Sequence, residues 1–125
     1  MRGHDGFAIA SPEYNGSFPA LLKNTLDWIS RPEPGEHNLA VFRGKVAAIL
    51  SASPGPGGGR RGLHQLRDLL EMMSVSVVRQ ELAIARSSGA FDAAGRLMRA
   101  EDLAGLQELA AALAQAAAQK EEAAA

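Results

Sequence analysis

An α/β protein built on a parallel sheet is what this sequence predicts, on three observations. Short apolar runs that end in small polar or turn-forming residues alternate with segments whose apolar residues recur every three or four positions. Each apolar run is followed by a loop rich in Pro, Gly, Ser or Asn. The length, 125 residues and 13.1 kDa, suits one hydrophobic core rather than two. Strands alternating with helices imply parallel pairing through right-handed crossovers, so the sheet should lie between helical layers. The pattern yields about three strands and three helices, few for this class, so the sheet is expected to be incomplete.

Phe7 to Ala10 is the first apolar run, between Gly6 and Ser11-Pro12, and reads as a strand buried on both faces. Ser17-Phe18-Pro19 opens a helix whose stripe comprises Leu21, Leu22, Thr25, Leu26, Trp28 and Ile29. Trp28 is therefore expected in the core or at an oligomer interface. Arg31 to Asn38, with its prolines and mixed charge, is a surface loop. Val46 to Leu50 is the second strand and ends in Ser51-Ala52-Ser53. Pro54 to Gly62 supplies five glycines and two prolines before a helix striped by Leu63, Leu66, Leu69, Leu70 and Met73. Val75 to Ile84 suggests a third strand, weakened in its middle by Arg79, Gln80 and Glu81. Phe91 to Arg99 is irregular. From about Glu101 a last helix carries Leu103, Leu106, Leu109 and Leu113. The domain is thus expected to span residues 1–114, with residues 115–125 an alanine-rich tail that frays for want of large apolar residues.

Composition removes several functional classes. With 13 basic and 14 acidic side chains the net charge is −1, so no strong field favours a nucleic acid or an anionic membrane. The absence of cysteine rules out disulfides, zinc-thiolate sites, iron–sulfur clusters and thiol nucleophiles. No apolar run approaches the roughly 20 residues needed to span a bilayer, and the amino terminus lacks an export-signal layout, so the expectation is a soluble, cytoplasmic protein. Of the 46% hydrophobic residues many are alanine, 24 in all, so the core is leaner than that percentage suggests.

Two loops carry candidate chemistry, both following strands at the address where open α/β sheets bind ligands. Ser11 to Ser17 (SPEYNGS) joins an aromatic ring, an amide side chain and a glycine, which suits a flat heteroaromatic ligand but also an ordinary turn with Tyr14 covering the core. Ser51 to Gly62 (SASPGPGGGRRG) places Gly57, Gly59 and Gly62 at G-x-G-x-x-G spacing, with Glu81 at 19 residues beyond. That fingerprint starts too late after its strand for the tight turn of a dinucleotide fold, and no Walker motif is present. Arg60 and Arg61 either meet a phosphate or face solvent. His4, His37 and His64 are scattered and suggest no metal site. Ser51 and Ser53 lack a nucleophile elbow.

Over these loops the chain resembles a known family. GFAIASPEYNGSFPALLKNTLDWISRP, Gly6 to Pro32, is similar to a signature of the NADPH-dependent FMN reductases, flavodoxin-like proteins that include quinone, azo-dye and chromate reductases. GKVAAILSASPGPGGGRRGLHQLRDLLEMM, Gly44 to Met73, looks like the same family's next strand, loop and helix. The resemblance implies a flavodoxin-like parallel sheet with FMN at its carboxyl edge. It places Pro12, Glu13, Tyr14 and Asn15 along the isoalloxazine ring, with Ser53, Gly55 and Gly58 approaching from the neighbouring loop. It further implies hydride transfer from NADPH to the flavin, then reduction of a small-molecule electron acceptor, in a homo-oligomer (dimer or tetramer) without a side-chain nucleophile. The family's first strand, phosphate-binding loop, first helix and second strand have no counterpart in this sequence. The first apolar run is then expected to match the family's third strand and to sit at a sheet edge. Two other readings stand beside it: from that shortage, a non-catalytic α/β remnant stabilised by oligomerisation, and from the glycine spacing, a dinucleotide-binding module using Gly57, Gly59 and Gly62.

Overall fold

The computed structural model describes Met1 and residues 3–124, with side-chain placement through Lys120. Its elements are β1 (Gly6–Ala10), α1 (Ala20–Ile29), β2 (Val46–Ala52), α2 (Arg60–Met72), β3 (Ser76–Val77), β4 (Leu82–Ile84), a single 3₁₀ turn (Ser87–Gly89) and α3 (Ala100–Ala124). All strand pairings are parallel. Gly6 to Ala10 lie opposite Val46 to Leu50, while β3 and β4 both pair with the other edge of β2. The open parallel sheet between helices is therefore present as expected.

Alternation along β2 divides the core in two. Ala47 and Ile49 face α1 and α2, where Leu26, Leu63, Leu66 and Leu70 are buried; Ala48 faces α3 with Leu82, Ile84 and Leu109. The first layer is also sealed by Phe42, fully buried and set edge-on to Phe7 with ring centroids 6.3 Å apart. Phe42 and Val41 belong to the turn before β2, a segment whose apolar pair the sequence reading passed over.

Four expectations need correction. β1 is covered on one face only: Phe7 and Ile9 pack against the α1 and α2 layer, whereas Ala8 and Ala10 are exposed. The cause is that methyl groups alone project on that side, and β1 is an edge strand. The third strand is broken into β3 and β4, and Arg67 fills the gap. Its guanidinium donates to the carbonyl of Val78 at 3.0 Å and to those of Val77 and Arg79 at 3.4 Å, acceptors that a continuous strand would have satisfied. Of the two places expected for Trp28 the core is excluded, since it is 73% exposed on α1, and the oligomer interface stays open. Finally, α3 continues to Ala124 instead of ending near Ala114, because the alanine-rich segment has the highest intrinsic helix propensity and Ala116 still packs on the sheet.

Candidate functional site

Three connections meet beyond the carboxyl ends of the strands: Ser11 to Ser17 after β1, Ser53 to Gly59 after β2, and Ala85 onward after β4. Main-chain bonds tie them together. Ser11 N donates to Leu50 O at 2.9 Å, Ser53 N to Ile84 O at 3.0 Å, Ser87 N to Ser53 O at 3.0 Å and Arg86 N to Gly55 O at 3.1 Å. The cluster is thus an extension of the sheet, and its loops inherit the register of the strands.

Tyr14 to Ser17 form a tight reversal in which Tyr14 N donates to Ser17 O at 2.8 Å and Ser17 N to Tyr14 O at 3.1 Å. Asn15 and Gly16 have φ of 52° and 80°, the left-handed pair of a type I′ turn. An Asn-Gly dipeptide is the sequence signal for this turn, and it was available in YNGS. The reversal leaves Tyr14 63% exposed, so the ring does not cover the core, and Asn15 stands exposed at the tip.

In the second loop Ser53 Oγ accepts from Gly55 N at 3.3 Å, and the buried Ser51 hydroxyl donates to Gly58 O at 2.6 Å. Gly58 lies directly against β4. A Cβ there would stand 2.8 Å from the carbonyl carbon and oxygen of Ala83, at φ +63°, so only glycine fits. Glu13 links the loops: its Oε2 accepts from Gly62 N at 3.1 Å, satisfying one of the free amides in the first turn of α2.

The residues singled out from the sequence divide among neighbouring hollows. Glu13, Ser53, Gly55 and Gly58 line one of about 430 Å³, together with Arg60, Arg61 and His64. Pro12 and Tyr14 line another of about 340 Å³ against Leu21, Leu22 and Thr25. Pro12 also borders a larger apolar trough of about 790 Å³ between the strand ends and Leu103 and Leu106 of α3. Asn15 lines none of these. The trough holds little chemistry: its one charged side chain, Arg96, donates to Asp92 at 2.8 Å. Those Arg96 bonds, first from its main chain and then from its guanidinium, hold the Asp92 carboxyl below the usual carboxylate range.

Glu81, the candidate ribose acid of a dinucleotide fold, is engaged elsewhere. Its Oε1 lies 3.3 Å from His64 Nε2 and its Oε2 3.4 Å from Arg67. Among the described residues no cluster of three or more His, Asp or Glu side chains could hold a metal ion, and no helix is long and apolar enough to cross a membrane.

Paired loops at the carboxyl ends of adjacent parallel strands, one with an aromatic and amide at its tip and the other glycine-rich, define an α/β protein of the flavodoxin-like kind. The chain belongs to the NADPH-dependent FMN reductase family, whose match covers residues 1–89. It is 41% identical over 99 residues to the NAD(P)H-dependent FMN reductase of Pseudomonas aeruginosa, covering 78% of this chain and 51% of that protein. It is 36% identical over 95 residues to the 2-hydroxy-1,4-benzoquinone reductase of a Burkholderia species, covering 75% of this chain and 50% of the relative. Among solved structures, FerB, a flavoenzyme NAD(P)H:(acceptor) oxidoreductase from Paracoccus denitrificans, superposes with a TM-score of 0.77 at 25% identity. That match takes in 97% of this chain and 63% of FerB. The chain thus spans about half the length of these two curated relatives.

FMN and NADPH are the cofactors of this family. Tyr14, exposed at its tight turn, and the glycine-rich loop in the neighbouring hollow each present a surface that suits a flavin's flat ring, while Asn15 stands outside both hollows. They suit its phosphate less well. Glu13 already occupies the amide of Gly62 in the first turn of α2, where an anion would otherwise be held.

Proposed function

We propose that this chain forms the flavin-ring side of a cytoplasmic NAD(P)H-dependent FMN reductase that serves a quinone-like or other small acceptor. The single observation that carries this reading is the bond from Gly62 N, at the start of α2 just beyond the glycine loop, to Glu13 of the Ser11 to Ser17 loop, at the ends of adjacent parallel strands. FMN, when bound, supplies the redox chemistry, taking hydride from a nicotinamide and passing reducing equivalents to the acceptor. The chain's own residues orient the ring. Tyr14 offers a face for stacking, Asn15 an amide for edge hydrogen bonds, and Pro12 a rigid wall. Ser53, Gly55 and Gly58 set a second wall without side-chain bulk, and Glu13 holds the two walls together. No step asks for a nucleophile, metal ligand or general base from the protein. A quinone-like acceptor is supported by the name of the Burkholderia relative.

The chain's surface supports assembly into a homo-oligomer. Leu21 and Trp28, two large apolar side chains, are 75% and 73% exposed on α1. Sedimentation should show a dimer or tetramer at micromolar concentration, and a monomer would remove this part of the proposal. For the activity, the purified chain is titrated with FMN and then supplied with NADPH and a benzoquinone. Saturable FMN binding with quinone-dependent NADPH oxidation is expected. Failure to bind FMN would return the chain to the reading of a non-catalytic α/β unit.

A further inference from the structure

The turn that carries Tyr14 and Asn15 is anchored from outside as well as by its own backbone. Gln65, one turn into α2, uses both ends of its amide on that turn. Its Nε2 donates to Gly16 O at 3.0 Å, and its Oε1 accepts from the Ser17 hydroxyl at 2.6 Å. The approach is close: a Cβ on Gly62 would come within 3.3 Å of the Ser17 carbonyl. Meanwhile α2 begins at the end of the glycine loop, with Gly59 as its capping residue. One helix therefore grips both walls of the candidate ring site.

We propose that Gln65 is a positioning residue, docking the Tyr14 to Ser17 turn onto α2 and so fixing its tip relative to the glycine loop; its consequence for cofactor rests on the flavin-side reading above. Gln65 is exposed, while the core stripe of α2 runs through Leu63, Leu66 and Leu70. Its side chain adds nothing to the apolar core, so its two hydrogen bonds serve the turn. The amide matters as an amide. Ser17 supplies a donor and Gly16 an acceptor, and only a side chain with one oxygen and one N–H group answers both. A glutamate would keep the bond to Ser17 and set a carboxylate against the Gly16 carbonyl.

Gln65→Met keeps the length of the side chain and removes both bonds. In the cofactor-free chain, amide hydrogen exchange at Tyr14 and Ser17 should then quicken by about tenfold, with exchange in β2 and the melting temperature unchanged. FMN should bind about three- to tenfold more weakly, with Gln65→Glu no better than Gln65→Met. Unchanged exchange at Tyr14 and Ser17 overturns the docking role whatever the flavin does. Faster exchange with wild-type FMN affinity, in a protein where Tyr14→Ala does weaken binding, overturns the positioning role and leaves the site reading standing. FMN affinity indifferent to both Tyr14→Ala and Gln65→Met sinks the site reading and the cofactor consequence together, while faster exchange would still establish the mechanical contact.

Discussion

Tyr14 is an aromatic side chain that the fold does not need. At 63% exposure it contributes little burial, and its backbone alone closes the turn with Ser17. Tyr14→Ala should therefore leave unfolding free energy within about 0.5 kcal/mol of wild type. If the ring stacks on a flavin, the same change should weaken FMN binding by about 1 to 2 kcal/mol, read by fluorescence titration. Asp92 makes a different residue-scale case. Its carboxyl is held below the ordinary range by bonds from Arg96 and Ala94, so the ionised form is favoured by folding. The stabilisation is complete above the ordinary aspartate value of about 4 and is lost as pH falls through the lower folded value. Acid titration followed at the amides of Ala94 and Arg96 should show the Phe91 to Leu97 bridge loosening below about pH 4, a transition that Asp92→Asn abolishes.

At the level of elements, the interrupted third strand yields the sharpest test. Arg67 donates to the carbonyls of Val77, Val78 and Arg79 and pairs with Glu81, whose side chain is only 16% exposed. Arg67→Met preserves the stem and deletes these donors. It should cost about 2 kcal/mol in urea unfolding, with faster amide exchange confined to the segment between β3 and β4. The break itself was legible as a weakness, since Arg79, Gln80 and Glu81 interrupt the apolar run. Its repair was not, because Arg67 lies on another element and no local pattern announces that it will turn back to cap a gap. The same limit explains Phe42: a buried ring in a turn gives no period to read. The extent of α3 was misjudged for a related reason, large apolar residues being a poor guide where alanine supplies both propensity and packing. The candidate loops were legible because their positions follow from strand ends. How they are joined, through Glu13, Gln65 and Ser17, was not, since those contacts span 48 or 49 residues of sequence.

For the molecule as a whole, the two faces of the sheet are unequally protected. On the α1 and α2 side Phe42, Ile49, Leu63, Leu66 and Leu70 are fully buried and interlock across β1 and β2. On the other side α3 packs Leu106, Leu109 and Leu113 against Ala48, Leu50, Val78, Leu82 and Ile84, with Leu50, Leu106 and Leu113 only partly buried. Leu109 is buried, but Leu103 is 44% exposed, and the trough of about 790 Å³ lies open between the helix and the strand ends. Stabilisation per residue follows apolar area removed from water, so α3 is held by less than α2 although it is longer. Native-state hydrogen exchange across a denaturant series should therefore resolve two levels. Amides of β2 and α2 should exchange only through global unfolding, while those of α3 open earlier, with a lower free energy and a smaller denaturant slope. Because α3 borders the trough beside Ser11 and Pro12 but, among the described residues, makes no hydrogen bond to the turn at Tyr14, that opening should leave the Gln65 contact intact. Identical free energies and slopes for α2 and α3 would mean that the two layers unfold as one, and that the alanine-rich helix is bound to the sheet more firmly than its buried surface allows.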